Sequence, residues 1–356
     1  MKRLFILFAI SIFLLGCKKE GCTDPTSINY NEHAEYDDGS CNFQIEENKI
    51  PMNISENLTL TSDKIWILEK RTTVNNGATL TIEAGTIIKA VAGTGPNASC
   101  LIISRGSKIN AQGTPESPII FTSVADDIQV GEIRGTLDPT LNGLWGGVII
   151  LGNSPISAAS SSMQTEGIPA SDPSGLYGGT DENDNSGTFK YVSIRHGGAN
   201  IGEGNEINGL TLGGVGSATI INNIEIVGNQ DDGIEWFGGT VNCSELLVWG
   251  AGDDCIDIDQ AYSGDLNNVL IVPIDFTDHV LEIDGGEGQW NSAFTIENCE
   301  VYSNSLEQAH FRADATGSIS MTGNVEIEAD PGTAVNITTC QELDKSIFNW
   351  TYWKNY

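Results

Sequence analysis

The sequence predicts an all-β protein: a parallel β-helix, or β-solenoid, preceded by a small disulfide-closed loop module. Short β-rich runs are separated by Gly, Asn and Asp, and no stretch has the apolar period of a long helix. In the second half, two kinds of strand recur together in units of 22 to 30 residues. Recurrence of this kind indicates stacked coils, each made of two or three short strands.

The N-terminus predicts export. Lys2 and Arg3 precede an apolar run from Leu4 to Leu15, which is shorter than the ~20 residues that a membrane span requires. We therefore interpret residues 1–16 as a signal peptide. Leu-Leu-Gly-Cys at its end resembles the lipobox of bacterial lipoproteins, which implies lipidation of Cys17 and a membrane anchor, with residues 17–20 as a tether. The alternative is a soluble secreted protein cut nearby.

The charge excludes one class of partner. The chain has 17 basic and 48 acidic residues and a net charge of −31. Without Lys2 and Arg3 the basic count falls to 15 and the net charge becomes −33. A protein this acidic repels nucleic acid and attracts divalent cations, so we expect no nucleic-acid partner.

The cysteines divide the rest of the chain. Cys22 and Cys41 bracket a polar loop of an exported chain, which predicts a disulfide within a module at 21–43. A linker at 44–55, the β-helix at 56–345 and a C-terminal aromatic cap at 346–356 follow. Cys243, Cys255 and Cys299 lie in or beside apolar strand runs and are predicted to fill the core.

The repeat has two recurring features. Apolar residues of successive units align at spacings of 24, 22, 25 and 30 residues, and the aligned residues are Leu210, Ile234, Ile256, Leu281 and Phe311. A second strand of the unit opens with Asn223, Asn268 or Asn298. Stacked at one corner of the solenoid, these three side chains are predicted to form an amide ladder.

Several motifs in this order carry a family resemblance. WGGVIILG, YVSIRHGG, NQDDGIEWFGG, AGDDCIDIDQAYSG and DHVLEIDGGEG resemble the right-handed parallel β-helix proteins of Bacteroidota cell surfaces, over roughly residues 56–350. These share the pectate-lyase-like fold and have no established activity. The resemblance implies a lipid-anchored protein of the cell outer membrane and leaves the chemistry open.

Strand alternation predicts an acidic ladder. With Ile256 and Ile258 inward, Asp257 and Asp259 point outward, and the aligned units repeat this phase. The predicted acidic ladder consists of Glu235, Asp257, Asp259, Glu282, Asp284 and Asp314, with Arg312 at one end. Like charges about 5 Å apart repel, so a proton, a cation or hydration has to relieve them.

Three interpretations of this ladder stay open. The carboxylates are solvated structural acids, or they bind Ca²⁺, for which Glu235, Asp257, Asp259, Glu282 and Asp284 are the candidate ligands, since no His or Cys clearly joins them. The third interpretation is catalysis by Asp257, Asp259, Glu282 and Arg312, as a calcium-assisted polysaccharide lyase or glycoside hydrolase. GDDC resembles the acidic motif of polygalacturonases, but the accompanying Asn-Thr-Asp and Gly-His-Gly motifs are missing from their places.

Two other places carry polar residues at notable spacing. Asp181, Asn183 and Asn185 alternate as in the first half of an EF-hand loop, which makes them a second candidate calcium site. No bidentate Glu follows, so a plain Asx-rich turn is the alternative. Arg195 and His196 end a strand, where they line a groove or pair with an acid on the next coil.

The sequence thus predicts a lipid-anchored protein for non-catalytic binding or presentation of an extracellular polysaccharide or surface protein. The competing prediction is a lyase or hydrolase acting on an acidic polysaccharide. The long segments 125–143 and 154–179 exceed ordinary turns, and loops of this length are usually binding features or flaps.

Overall fold

The computed structural model describes residues 19–23, 25, 27, 30–40, 48–201, 207–283, 286, 294–301, 327–329, 335–338 and 343–355. The chain divides into two compact units, Met1–Glu47 and Asn48–Tyr356. The described residues contain no helix that is long and apolar enough to cross a membrane.

The small unit is ordered by a few backbone contacts. Glu20 and Tyr36 form an isolated parallel bridge, and the N–H of Gly21 donates to the carbonyl of Tyr36 at 3.1 Å. Cys22 is buried. Its predicted partner Cys41 lies outside the described residues, so the disulfide stays a prediction.

The large unit consists of short β-strands, most of them stacked in parallel. They are β1 Asn53–Ile54, β2 Leu58–Leu60, β3 Ile65–Leu68, β4 Thr72–Val74, β5 Thr79–Ile82, β6 Ile87–Ala90, β7 Leu101–Ile103, β8 Lys108–Gln112, β9 Ile119–Ser123, β10 Val148–Leu151, β11 Met163–Gln164, β12 Leu176–Tyr177, β13 Gly187–Arg195, β14 Leu210–Gly213, β15 Ile220–Asn229, β16 Ile234–Gly239, β17 Cys243–Ala251, β18 Ile256–Tyr262, β19 Asp265–Val272, β20 Leu281–Ile283, β21 Phe294–Val301, β22 Ile327–Ala329 and β23 Val335–Thr338. Four short 3₁₀ helices are η1 Gly95–Asn97, η2 Pro173–Gly175, η3 Lys345–Phe348 and η4 Tyr352–Asn355.

The order of the strands shows the solenoid. The first sheet has the order β1-β4-β7-β10-β14-β16-β18-β20-β22. The second sheet has twelve strands, nine of them in the order β2-β5-β8-β13-β15-β17-β19-β21-β23. The other three are β3, β6 and β9, in which β6 pairs with β3 and β9, and β9 also pairs with β13. Every pair in both sheets is parallel, and only the short β11–β12 hairpin is antiparallel. In the described part of the chain the strands make nine coils, which confirms the predicted parallel β-helix.

The coil-to-coil register confirms most of the predicted repeat. Leu210, Ile234, Ile256 and Leu281 are partners in successive strands of the first sheet, and all four are buried in one continuous core. The last predicted spacing is wrong, because Leu281 pairs with Ile327. Alternating apolar residues recur in any β-rich segment, so the pattern alone did not determine which run forms the next coil.

The corner of the second sheet carries the predicted polar stack. Tyr191, Asn223, Glu245, Asn268 and Asn298 all have positive φ values, between 50° and 58°, and the strand register stacks them on successive coils. Asn298 Nδ2 donates to Asn268 Oδ1 at 3.2 Å, and Asn268 Nδ2 donates to Glu245 Oε1 at 3.3 Å. The amide ladder is confirmed at Asn268 and Asn298, and a glutamate continues it.

A long insertion covers the middle strands of the first sheet. Residues 152–179, here called the flap, follow β10 and lie on the sheet's outer face. Ile156 and Tyr177 of the flap belong to an apolar cluster with Ile149, Leu151 and Phe237 of the sheet. The flap therefore buries outward-facing side chains that alternation alone would leave exposed.

The C-terminal residues 343–355, here called the strap, run along the outer face of the second sheet. Leu343, Phe348 and Trp353 pack with sheet residues that include Leu247 and Trp249. The predicted aromatic cap thus lies against the side of the coils. The same outer face is apolar in several successive strands, and the strap removes it from water.

Candidate functional site on the outer face of the first sheet

The acidic ladder is in register in the structure. Thr211, Glu235, Asp257 and Glu282 are partners in β14, β16, β18 and β20. Glu328 of β22 continues this row.

The rung predicted for Arg312 is therefore occupied by Glu328. Arg312 itself, with Asp284 and Asp314, lies outside the described residues. The row thus has a further acidic residue at the position where the predicted repeat places Arg312. The error has the same origin as the misplaced last coil, since both follow from aligning the run around Phe311.

The ladder is less exposed than alternation predicts. Asp257, Asp259 and Glu282 are half-buried, whereas Glu235 is only 6 % exposed. The description of Glu235 as solvated is therefore wrong. Neighbouring Phe237 is covered by Tyr177 of the flap, with ring centroids 5.6 Å apart.

A second line of polar residues adjoins the ladder, and the sequence interpretation missed it. This polar column consists of Asn208, Asp232, Asp254 and His279, each two positions before the inward apolar residue of its coil. The backbone N–H of Asp254 donates to Asp232 Oδ1 at 3.0 Å, and that of His279 donates to Asp254 Oδ1 at 2.7 Å. The signal was present in the aligned runs DDGIEW, DDCIDI and DHVLEI, whose second residues share this phase.

Column and ladder bring acidic ligand atoms together. The described residues include three such groups of three side chains. Within each group, one ligand atom of every side chain lies within 4.8 Å of the other two. The groups are Asp232–Glu235–Asp257, Asp254–His279–Glu282 and Asp231–Asp232–Asp253. The expectation that no histidine joins the carboxylates is wrong, because His279 Nδ1 lies 3.0 Å from Asp254 Oδ1.

Burial changes the protonation of these carboxyls. Loss of solvent raises the pKa of Asp232 and of Glu235 well above their ordinary values, and the neighbouring carboxylates raise both pKa values further. Burial and a hydrogen bond with Glu282 raise the pKa of Asp254 to about 11. The raised pKa values favour the protonated carboxyls, and a cation bound among these carboxyls would displace protons.

An amide oxygen lies at the edge of the same cluster. Asn208 is 5 % exposed, and its Nδ2 donates to Glu235 Oε2 and to Thr211 Oγ1, the latter at 3.2 Å. Its Oδ1 is buried without a hydrogen-bond partner among the described residues. Because Nδ2 and Oδ1 share one amide carbon, this oxygen borders the carboxyl group of Glu235.

The second candidate calcium site has a local structural role. Asp181 Oδ1 accepts from the N–H of Asn183 at 3.0 Å, and Asn185 Oδ1 accepts from the N–H of Gly187 at 2.9 Å. Asn183 Oδ1 accepts from Ser217 Oγ. These bonds describe an Asx-rich turn, while calcium binding there stays a prediction.

Arg195 and His196 lie in the interior. Both are 1 % exposed, and Arg195 Nη2 lies 3.6 Å from Glu225 Oε2. Ser193 bridges the pair, since its Oγ accepts from Arg195 Nε at 2.7 Å and donates to Glu225 at 2.5 Å. The acid-pair interpretation is confirmed for Arg195. His196 Nδ1 instead contacts the carbonyl oxygen of Leu141 at 2.7 Å, and neither buried side chain lines a groove.

Comparison with known proteins agrees with this architecture. A family model described as a pectate-lyase like β-helix domain matches residues 52–338. The chain belongs to this family. The match runs from β1 to β23, so the pectate-lyase like β-helix domain includes both the ladder and the column. No curated protein and no solved structure matches the chain.

Proposed function

We propose that this protein binds an extracellular glycan through a calcium ion held on the outer face of the first sheet. The observation that carries the proposal is the convergence of Asp232, Glu235 and Asp257, whose ligand atoms lie within 4.8 Å of one another. Asn208 adds an amide oxygen at the edge of this group.

The donor set favours calcium. Carboxylate and amide oxygens are hard ligands, and Ca²⁺ accepts six to eight of them in a flexible geometry. Three carboxylates in contact repel one another, and a divalent ion offsets most of that repulsion. Because Asp257 is half-buried, water or a ligand from solution would complete the coordination there.

A sugar suits the open side of such an ion. Vicinal hydroxyls and carboxylates of glycans are oxygen donors, and the β-helix presents one long, stacked face. Membership in the pectate-lyase like family supports a carbohydrate-related role. We further propose that lipidation of Cys17 anchors the protein in the cell outer membrane, with a Cys22–Cys41 disulfide closing the module next to the anchor.

The alternative is a calcium-assisted polysaccharide lyase or a glycoside hydrolase. In its favour, the raised pKa of Glu235 favours the protonated acid that a proton donor beside Asp257 requires. Against it, Glu235 is nearly inaccessible, and Glu328 holds the rung predicted for the base Arg312. The ligand atoms of Asp232, Glu235 and Asp257 lie within 4.8 Å of one another, which argues against an inverting enzyme, whose two carboxyls are roughly 6.5–9.5 Å apart.

Calcium-dependent glycan binding tests the proposal. The protein is applied to a glycan array in calcium and in chelator, and each glycan bound is recovered and analysed for cleavage. We expect binding in calcium only, recovery of the intact glycan, and loss of binding in Asp257→Asn. Asp265→Asn, an exposed carboxylate on β19, is the matched control and keeps the parent affinity.

Two results would contradict the proposal. Absence of glycan binding in both conditions would remove the binding function. Shortened or unsaturated products that disappear in Asp257→Asn would establish the enzyme instead.

A further inference from the structure

A cavity of about 120 Å³ lies between the flap and the coils that it covers. Its wall is mostly apolar and carries one cation, and the residues that line it include Arg71, Ala98, Cys100, Ile168, Ile201 and Ile207. An apolar cavity of about 150 Å³ is large enough to bind benzene. The cavity under the flap therefore has room for a group of about four or five non-hydrogen atoms.

The walls of this cavity are fixed by contacts of the flap. Gln164 Nε2 donates to the carbonyl oxygens of Ile168 at 3.2 Å and of Asp172 at 3.1 Å, which holds the tip of the flap in one shape. A Cβ atom at Gly167 would overlap Ile201 Cδ1, so the tip already touches the opposite wall. Protein interiors are otherwise close-packed, and here the flap cannot move inward to fill the space.

The polar part of the wall offers a donor and an acceptor side by side. Arg71 Nη2 lies 3.3 Å from Asp172 Oδ2 on the flap, and these side chains are 34 % and 25 % exposed. Asp172 Oδ1 accepts from the N–H of Ser174 at 3.0 Å. A guanidinium has five N–H donors, more than one carboxylate oxygen can use. The pair can therefore bind a further polar group, and it carries no net charge.

Two chain segments contribute both to this cavity and to the proposed calcium site. Ile207 lines the cavity, and the next residue is Asn208 of the calcium site, about 3.8 Å away between Cα atoms. Gly167 also lines the cavity and follows Glu166. Burial raises the pKa of Glu235, and the charge of Glu166 adds to this effect. A sugar held on the calcium ion thus has the cavity within reach of a substituent on its ring.

An acetamido group matches the cavity in size and in polarity. It has about four non-hydrogen atoms, which the volume admits. Its methyl group would pack on the apolar wall, its carbonyl oxygen would accept from Arg71, and its N–H would donate to Asp172. The group is neutral, which suits a chain of net charge −31 that repels anions.

We propose that the cavity under the flap binds the acetamido group of an N-acetylated amino sugar whose hydroxyls bind the calcium ion. This inference rests on the calcium-dependent glycan binding proposed above, and it names the class of glycan. A sugar with a hydroxyl in place of the acetamido group would leave the apolar wall uncovered and would therefore bind more weakly.

Matched pairs of glycans test the inference on the full chain in calcium. The two members of a pair differ only in the sugar, N-acetylglucosamine against glucose or N-acetylgalactosamine against galactose. We expect the acetamido member of at least one pair to bind about tenfold more tightly or better. Ala98→Leu fills the cavity from its wall, so the difference within that pair should disappear, while calorimetry shows the calcium affinity of the parent.

Arg71→Met removes the donor and keeps the apolar stem, so we expect it to reduce the preference for the acetamido member. Lys70→Met, altered at the exposed neighbouring cation, is the control and keeps the preference. Far-ultraviolet circular dichroism checks folding, and Arg71→Met replaces Ala98→Leu if that variant does not fold.

The possible failures are distinguishable. Equal binding of both members of every pair by the parent would overturn the inference and leave calcium-dependent glycan binding standing. A folded Ala98→Leu protein that keeps the preference would also overturn it. A parent that binds no glycan in calcium would contradict the proposed function, and the inference would fall with it.

Discussion

At the scale of single residues, inward positions carry the stability of each coil. Ile256 is fully buried between Ile234 and Leu281 on the neighbouring coils. Ile256→Asp places an unpaired carboxyl in this core, and we expect the free energy of unfolding to fall by about 4 kcal/mol or more. Urea denaturation measures it. Ile220→Asp is the control at a half-exposed isoleucine of β15, and an equal effect of both would contradict the inward phase.

The buried carboxyls predict a pH dependence in chelator. The pKa values of Asp232, Glu235 and Asp254 are raised in the folded chain, whereas unfolded carboxyls titrate near pH 4. Above about pH 4 the folded state therefore binds more protons than the unfolded state. The protonated carboxyls contribute fully to stability below the pKa values of the unfolded chain. This contribution is lost as the pH rises toward the pKa values of the folded chain.

Glu235→Gln isolates part of this effect, because glutamine stays neutral at every pH. We expect the free energy of unfolding of the parent, relative to Glu235→Gln, to decrease between pH 5 and pH 8 in chelator. Denaturation curves at the two pH values measure it. A relative stability that rises with pH would mean that Glu235 is ionised in the folded chain.

At the scale of elements, one left-handed residue turns the chain in each of five successive coils of the second sheet. Asn268 has φ of 58° and bonds through its amide to Glu245 and Asn298. Asn268→Ala loses both bonds and strains the corner, so we expect a loss of about 2 kcal/mol. Asn268→Gly keeps the backbone conformation and loses less. Asn267→Ala is the control, and thermal unfolding of all three variants ranks their losses of stability. If Asn267→Ala loses as much stability as Asn268→Ala, the left-handed corner has no special role.

The strap is held by both polar and apolar contacts. Glu225 Oε1 accepts from the N–H groups of Tyr352 and Trp353, at 2.6 and 3.3 Å. Lys345 Nζ of the strap forms an ion pair with Glu300 Oε1 at 2.5 Å. Glu300 lies in β21, several coils away from Glu225 in β15. The strap thus links coils that are not neighbours, and stacked repeats otherwise contact only their neighbours.

Trp353→Ala tests the strap. The side chain is 8 % exposed, and its loss leaves a cavity against the second sheet, so we expect a decrease of about 3 kcal/mol in stability and stronger binding of a hydrophobic dye. Asn349→Ala, at an exposed strap residue, should leave both unchanged. A Trp353→Ala protein with parent stability would show that the strap adds nothing to the coils.

At the scale of the whole molecule, the proposed lipid anchor would decide where the protein acts. Cys17 lies outside the described residues, and its acylation is a prediction from the sequence. Cys17→Ser should abolish incorporation of labelled fatty acid and release the protein from the membrane fraction, because the acyl chains supply the attachment. Lys18→Ala is the control; a Cys17→Ser protein that stays membrane-bound after signal cleavage would contradict the anchor.

Local pattern was sufficient for the architecture and for much of the ladder. The inward phase of Ile256 and the register of Glu235 with Asp257 and Glu282 follow from alternation and from a repeat length that stacking requires. A solenoid makes such inference possible, because each coil contacts only its neighbours in sequence order. The corner asparagines were predictable for the same reason.

Only the tertiary structure decided what covers the coils. Burial of Glu235, the joining of Asp254 with His279 and Glu282, and the path of the strap all depend on segments that cross several coils. Their contacts have no period, so spacing carries no information about them. The chemistry of the site arises there, because the carboxyl pKa values and ligand distances depend on side chains that come within a few ångströms only after the chain has folded.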